Sequence, residues 1–341
     1  MAGSGVAVTR AVAVLVVACP CALALSRPLA AAAGLGAAAR RGLLFRSADG
    51  LLDLVDVDTV ALDKTGTVTK GALTVLRADD ETLRVAAGLE RYSNHPIARA
   101  IVDEAGRRGI PLPRGTDIKE TPGVGISGRV SGKLWRLRAG EAGQVLLLAD
   151  DNRSAVIDLG DAVRPDSARA ISQLCELGLE ITLLTGDHEQ VAQRIGREIG
   201  VDTVIPQIDP AGKAEWVRAK QSCGHRVLFG GDGINDGPAL AQADVGIAMG
   251  SGAASSVLVA DGVISAASLG PIRTGFIAAR ACSRAIRLNQ VRSIAYNVLA
   301  VSAAALGFVN PLVAAVLMPL SSAMVIWGSA RVEAVVRRQV Q

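Results

Sequence analysis

The stretch Thr59-Val60-Ala61-Leu62-Asp63-Lys64-Thr65-Gly66-Thr67 decides the fold. A short apolar run, residues 59–62, ends in a carboxylate and a glycine-bearing loop. Such a run, with no polar alternation, reads as a strand buried on both faces. Three similar runs follow. Residues 180–184 end at Thr185-Gly186-Asp187, residues 227–229 at Gly230-Gly231-Asp232, and residues 245–248 at Met249-Gly250. Ala-rich helical stretches separate them, and strands alternating with helices make an α/β fold. In an open parallel sheet, ligands bind beyond the carboxyl ends of the strands. Three strands that each deliver an aspartate there predict one acidic site.

The residue types give that site a chemistry. An aspartate at a strand end can attack a γ-phosphate and become an aspartyl phosphate. The loop after it offers backbone N–H groups to the phosphate oxygens. Carboxylate meeting phosphate calls for Mg²⁺ and for further carboxylates to hold it. Asp232 and Asp236, in Gly231-Asp232-Gly233-Ile234-Asn235-Asp236, supply them. Thr185 can hydrogen-bond the transferred phosphoryl group, and Lys213 can neutralise it. Asp56-Val57-Asp58-Thr59-Val60 matches the DxDx(T/V) pattern of soluble phosphatases of the same fold, but it precedes the strand instead of ending it. In those phosphatases a second aspartate, two residues after the nucleophile, is the acid/base for rapid turnover. After Asp63 that position is Thr65, so the phosphoenzyme is expected to persist.

Residues 72–158 interrupt the sheet as an inserted domain with helices over 81–90 and 97–108 and a β-rich stretch over 118–159. Gly123-Val124-Gly125-Ile126-Ser127-Gly128 is literally GxGxxG. A dinucleotide fingerprint needs a strand before it and a helix after it, and here Thr121-Pro122 precedes and the β-like Arg129-Val130 follows. His95, directly before Pro96, reads by itself as a surface helix cap.

Apolarity concentrates at the two ends of a chain of mean hydropathy +0.36. Residues 11–25 carry no charge and contain Cys19-Pro20-Cys21; a signal peptide is the competing reading, but the Ala/Gly continuation to Arg40 fits a kinked membrane helix better. Residues 293–309 and 311–330 are uncharged runs divided at Asn310-Pro311, each near the ~20 residues that cross a bilayer. Three membrane segments are therefore expected around the soluble insert. A net charge of +4 without a dense Lys/Arg run excludes a nucleic-acid partner. Five cysteines with one close pair argue for a reducing compartment instead of a disulfide framework. Proline opens the helix backbone beside Cys19 and Cys21, and two thiolates there suit a soft d¹⁰ ion such as Cu(I). Tyr296, Asn297, Ser321 and Ser322 are polar groups inside apolar spans, where polarity is costly and usually functional.

Asp-Lys-Thr-Gly-Thr at 63–67, Thr-Gly-Asp at 185–187 and Gly-Asp-Gly-Ile-Asn-Asp-Gly-Pro-Ala-Leu at 231–240 resemble the signature of the P-type ATPases. Glu90, Ser93, His95 and Pro96 are similar to the Ser-x-His-Pro element of the heavy-metal, CPx-type branch. Asn289, Tyr296-Asn297 and Met318-x-x-Ser321-Ser322 resemble the pattern of its copper(I)-transporting members. Zinc and cadmium pumps typically carry charged residues in these spans, and none stands there here. The resemblance implies a haloacid dehalogenase-like (Rossmannoid) phosphorylation domain, 46–71 and 159–280, with an inserted α+β nucleotide-binding domain, 72–158. Transmembrane α-helices would flank them, one within 1–45 and two within 281–341. It implies Asp63 as phosphoryl acceptor, served by Lys64, Thr65, Thr185, Gly186, Asp187, Lys213, Asn235 and Asp236. Mg²⁺ would be held by Asp63, the Thr65 carbonyl and Asp232, and ATP by Glu90, Ser93, His95, Pro96, Gly123 and Gly125. Transported Cu(I) would meet Cys19, Cys21, Tyr296, Asn297, Met318 and Ser322, a thioether being a ligand that favours it.

The implied setting is a bacterial plasma membrane crossed several times, with cytoplasmic soluble domains and membrane lipid around the helices. A copper chaperone and a separate chain carrying the actuator domain are implied partners. No Thr-Gly-Glu occurs, and three of the family's usual eight helices are expected, so the chain corresponds to the C-terminal portion without actuator domain and first helices. On this reading it binds ATP and is phosphorylated but does not transport alone. A membrane-anchored phosphohydrolase of the same fold and an uncoupled ATPase remnant are the alternatives. Arg27, Gly237 and Gly328 depart from the family pattern.

Overall fold

The structure is a computed structural model that describes residues 2–340 apart from 19–20, 122, 141–142, 152, 233–234, 251–257 and 266–267. Two compact units divide it, residues 69–164 and the remainder.

The larger unit is built on a seven-stranded sheet in the order β1-β13-β12-β11-β2-β9-β10. These strands are β1 (Leu43–Phe45), β2 (Thr59–Asp63), β9 (Glu180–Leu184), β10 (Thr203–Ile205), β11 (Val227–Gly231), β12 (Val245–Met249) and β13 (Gly262–Ile264). All pairings are parallel except that of β1 with β13. Every residue of β2, β11 and β12 is buried, as their uninterrupted apolar runs require. Ala61, Leu184 and Phe229 pack with Val217 of helix α8 (Pro210–Ser222) and with Leu240 of helix α9 (Gly237–Gln242) in one core. Helix α7 (Glu189–Ile199) stops at Gly200, whose φ of +75° closes the helix in the left-handed region that glycine tolerates. Asp63 lies level with Leu184, and Gly231 with Ala248, so the strand ends carrying the aspartates line up along one edge.

The smaller unit is a six-stranded antiparallel sheet, β3-β8-β7-β6-β5-β4. Its strands are β3 (Thr69–Arg77), β4 (Gly115–Thr121), β5 (Gly125–Val130), β6 (Lys133–Ala139), β7 (Gln144–Ala149) and β8 (Ser154–Val163). Helices α4 (Asp80–Glu90) and α5 (Pro96–Arg107) cover it through Leu83, Leu89 and Ile101. The unit is wider than the expected 72–158 because β3 and β8 pair from their first and last residues, Thr69 opposite Val163. The Thr69 hydroxyl also donates to Asp161.

The termini are helical. Helices α1 (Ala2–Val17) and α2 (Cys21–Ala39) pack with α10 (Gly270–Leu306) and α11 (Pro311–Val340). No boundary falls at 281, because α10 runs unbroken for 37 residues from the sheet domain into this bundle. It ends at Gly307, with φ +88°, and Asn310 caps the next helix by accepting from the Val313 N–H at 2.8 Å. Among the described residues one helix, α11, is long and apolar enough to cross a membrane. The apolar part of α1 is shorter, residues 7–16.

Candidate active site

Asp63, Asp232 and Asp236 converge where the strands end, their carboxylate oxygens within 4.8 Å of one another. Lys213, from the first turn of α8, reaches into this cluster. Its Nζ donates to Asp63 Oδ1 at 2.5 Å and to Asp236 Oδ1 at 2.7 Å. The position of that lysine follows from the start of α8, where Asp209 accepts from the Gly212 N–H at 2.7 Å and Pro210 sits at the first position. Asp63, Lys213 and Asp236 are each at most 5% exposed. Burial, then the nearby Asp236 carboxylate, push the Asp63 carboxyl up to about 7, against the pull of Lys213. Burial works against the Lys213 charge as well, but the two carboxylates outweigh it and raise the ammonium pKa.

The loop beyond Asp63 bends at Gly66, with φ +70°, and a Cβ there would run into the Asp232 side chain. Only glycine lets the loop pass so close to the acid. Thr65 is exposed and extended, with its side chain in place of the second aspartate of a phosphatase. Lys64 forms an ion pair with Asp187 at 2.8 Å. Asp187 N in turn donates to Thr185 Oγ1 at 3.2 Å, so Thr-Gly-Asp and Asp-Lys-Thr-Gly-Thr hold each other. Gly186 borders this turn, and Asn235 is exposed beside the described part of its loop. The three clustered carboxylates carry more negative charge than Lys213 alone offsets. A hard, all-oxygen donor set with such a surplus fits Mg²⁺.

A second site lies within the smaller unit. Glu90, Ser93, His95, Glu120, Gly123 and Gly125 line a cavity of about 220 Å³, walled on its apolar side by Ile126, Leu137 and Val145. Glu90 ends α4 and is 5% exposed. Burial, then the facing Glu120 carboxylate, push it up to about 7. Ser93 Oγ donates to Glu120 at 3.1 Å and accepts from the His95 N–H at 3.2 Å. His95 is the N-cap of α5, its Nδ1 accepting from the Ile97 N–H at 3.2 Å, and Pro96 takes the first helical position. The capping role and the place in the cavity wall coexist in the same histidine. The constraint on Gly125 comes from the protein: at φ +135° a Cβ would strike the Leu137 carbonyl of β6. Gly123, at φ +76°, faces open space. Sequence reasoning missed Glu120, Leu137 and Val145. Glu120 carried a signal, a carboxylate just before Thr121-Pro122.

The proposed metal path is described in part. Cys19 lies outside the described residues, and the side chains of Cys21 and Met318 are likewise not among those described. Tyr296 is on α10 with its hydroxyl buried and without a hydrogen-bond partner among the described residues, and, like Val16 of α1, it packs against Ala300 and Ala314. Asn297 is also on α10, and Ser322 is on α11. The departures have local explanations. Arg27 pairs with Asp49 at 2.6 Å on the exposed surface. Gly328 leaves room for Asn289, since a Cβ there would lie 2.5 Å from Asn289 Oδ1. Gly237 has nothing within 4 Å of its would-be Cβ.

Residues 57–244 match the haloacid dehalogenase-like hydrolases, and the chain belongs to that family. Over almost its whole length the chain is also similar to heavy-metal P-type ATPases. Copper-transporting ATPase 1 of Rhizobium meliloti (strain 1021) is 38% identical over 367 residues, which take in 96% of this chain and 44% of that protein. The copper-exporting P-type ATPase of Staphylococcus saprophyticus is 36% identical over 353 residues, again 96% and 44%. The crystal structure of a zinc-transporting PIB-type ATPase in the E2.Pi state superposes with a TM-score of 0.84 at 32% identity, over 92% of this chain and 56% of that one. The chain thus spans less than half the length of these curated relatives.

Proposed function

We propose that the chain is the catalytic part of an ATP-driven pump for a soft heavy-metal cation, Cu(I), working through a phosphorylated aspartate. The observation that carries this reading is Lys213 bridging Asp63 and Asp236 at the strand ends, with Thr65 where a phosphatase keeps its acid/base. Asp63 attacks the γ-phosphorus, the bond to the β-phosphate oxygen breaks, and ADP leaves while the phosphoryl group stays on the carboxylate. Lys213 stabilises the negative charge gathering around the transferred group. Thr185, fixed by the Asp187 turn, hydrogen-bonds a phosphoryl oxygen. Mg²⁺, when bound by Asp63, Asp232 and the Thr65 carbonyl, would supply charge neutralisation between carboxylate and phosphate. Glu90, Ser93, His95, Pro96 and the Gly123–Gly125 turn would receive the adenine end of ATP. Deprived of a carboxylate at Thr65, the aspartyl phosphate outlives the encounter and can be coupled to metal movement.

The copper reading draws on Cys19, Cys21, Tyr296, Asn297, Met318 and Ser322, and the Tyr296 hydroxyl, without a partner among the described residues, supports a polar function in the bundle. The curated relatives are copper pumps while the superposed structure is a zinc pump, so the metal is the finer part of the proposal. Several crossings of a bacterial plasma membrane, a copper chaperone and a second chain bearing an actuator belong to it too. The test is acid-stable labelling of membranes with γ-labelled ATP, with and without Cu(I), for the chain and for Asp63→Asn. Label that needs both Asp63 and copper supports a coupled pump. Label that needs Asp63 but ignores copper leaves an uncoupled catalytic unit, and the transport reading falls.

A further inference from the structure

Two charge boundaries meet between α10 and α11. Arg292 is the last charged residue before the uncharged run 293–309, and Arg331 is the first after the run 311–330. Asn289 contacts Val325 and Ser329 while Ala300 packs with Ala314, so the helices run antiparallel and the two arginines come to the same end. There they line a cavity of about 150 Å³ together with Arg284, and Leu288, Val332 and Val335 supply apolar wall. Asn289, 2% exposed, forms its floor, with its amide on the Val325 carbonyl and the Ser329 hydroxyl. The absent side chain of Gly328 keeps that floor open. The Arg331 guanidinium lies 3.5 Å from the ring centroid of Trp327, which is 60% exposed, an aromatic placed where interfacial tryptophans sit. Among the described residues no acid lines the cavity, and none of its three guanidiniums has an acidic partner. Glu333, on the same helix, is taken by Arg40 at 2.8 Å.

We propose that this groove binds an anionic phospholipid, its phosphate held by Arg284, Arg292 and Arg331 and its first methylenes laid along Leu288, Val332 and Val335. The inference rests on the reading that α10 and α11 enter a membrane. Charge complementarity selects the occupant. Guanidinium groups match phosphate geometry with paired donors, and basic pockets between helices on the cytoplasmic side suit anionic headgroups. A further apolar helix seated here would bury three cations without a counter-charge. A free phosphate would leave the apolar wall wet.

The test uses the full chain reconstituted into phosphatidylcholine vesicles, with spin-labelled phosphatidylglycerol and spin-labelled phosphatidylcholine as probes of lipid bound at the protein. Phosphatidylglycerol is expected to be held about 5-fold or more over phosphatidylcholine, the factor of roughly one arginine at a membrane surface. The preference should fall below about 2-fold in Arg284→Gln/Arg292→Gln/Arg331→Gln and survive in Arg331→Lys, which keeps the charge. No preference, or an equal preference in the triple variant, overturns the proposal. Displacement of the labelled lipid by soluble glycerophosphoglycerol at equal concentration also overturns it, since the acyl chain would then contribute nothing. Flotation with the vesicles separates the two readings. A chain that floats without preference defeats this inference alone, and a chain that does not float defeats the membrane reading beneath it.

Discussion

Replacing Lys213 by Met removes the charge between Asp63 and Asp236 while keeping most of the volume of the side chain. The lysine is 5% exposed and lies 2.5 and 2.7 Å from the two carboxylates, which are 5% and 1% exposed. Without it, carboxylates within 4.8 Å of one another face each other with no cation between them. Read at about pH 9, above the Asp63 window near 7, two such charges repel by ~3 kcal/mol at an effective dielectric constant of about 20. Breaking a buried ion pair by removing one partner costs about 3–5 kcal/mol, the same range. The seven-stranded sheet should therefore open more readily by about 3 kcal/mol. Hydrogen exchange of the full chain in EDTA, read on peptides covering β2 and β11, measures this without assuming that the two units unfold together. The double variant Lys213→Met/Asp236→Asn should recover about half of the loss, because the two changes share one interaction. A single variant that costs under ~1 kcal/mol, or a double variant no better than the single, would refute the electrostatic account of this cluster.

Glu90→Gln should show a pH-dependent gain. A carboxyl raised from its usual 4.5 to about 7 makes the folded state hold a proton that the unfolded state releases, so its stability falls as pH rises through that window. The full displacement corresponds to ~3 kcal/mol, and water in the open cavity should reduce it to about 1–2 kcal/mol. Hydrogen exchange of α4 without nucleotide should then show protection gained at pH 8 and none at pH 5; a gain independent of pH would mean that packing, not charge, is responsible. Gly237→Ala, at the first position of α9 with open space for a Cβ, should stabilise by about 0.5–1 kcal/mol in exchange of the β11–α9 segment, and a loss would reveal a conformation that alanine resists. Gly125→Ala should cost over ~2 kcal/mol in the smaller unit and weaken binding of a fluorescent ATP analogue, because its Cβ meets the Leu137 carbonyl; unchanged exchange of β5 and β6 would contradict the close approach.

What was legible in the sequence was what periodicity and strand-end chemistry encode. Residues 59–63, 180–184, 227–231 and 245–249 are strands buried almost throughout because apolar residues dominate them, and the aspartates at or beyond the ends of the first three could be named from their place alone. Long-range contacts left weaker traces. Glu120 was missed because a carboxylate in a mostly exposed strand looks like a solvated face, and only the fold brings it opposite Glu90. The helix through residue 281 was split too early because the arginines at 280, 284 and 287 mark a change of surroundings, which a helix crosses without breaking. The insert boundary slipped by several residues because β3 and β8 are set by pairing with each other, a term that neither sequence shows by itself.

The same logic separates the two lysines of the site. Lys64 neighbours Asp63 in sequence, and Lys213 stands far from it. Lys64 follows the last residue of a strand into the loop and pairs with Asp187, 2.8 Å away, tying the two loops together. Lys213, 150 residues further on, approaches from a helix packed against the sheet and meets Asp63 from the side. The proposed chemistry accounts for the division: one cation stays with the loop geometry while another faces the carboxylate that would gain and lose a phosphoryl. A substitution that exchanged these demands, Lys64→Met, should loosen the Asp187 turn while leaving the Lys213–Asp63–Asp236 bridge in place, whereas Lys213→Met removes the bridge and leaves the turn. Under the proposed function, Lys64 is thus a positioning residue and Lys213 a catalytic one.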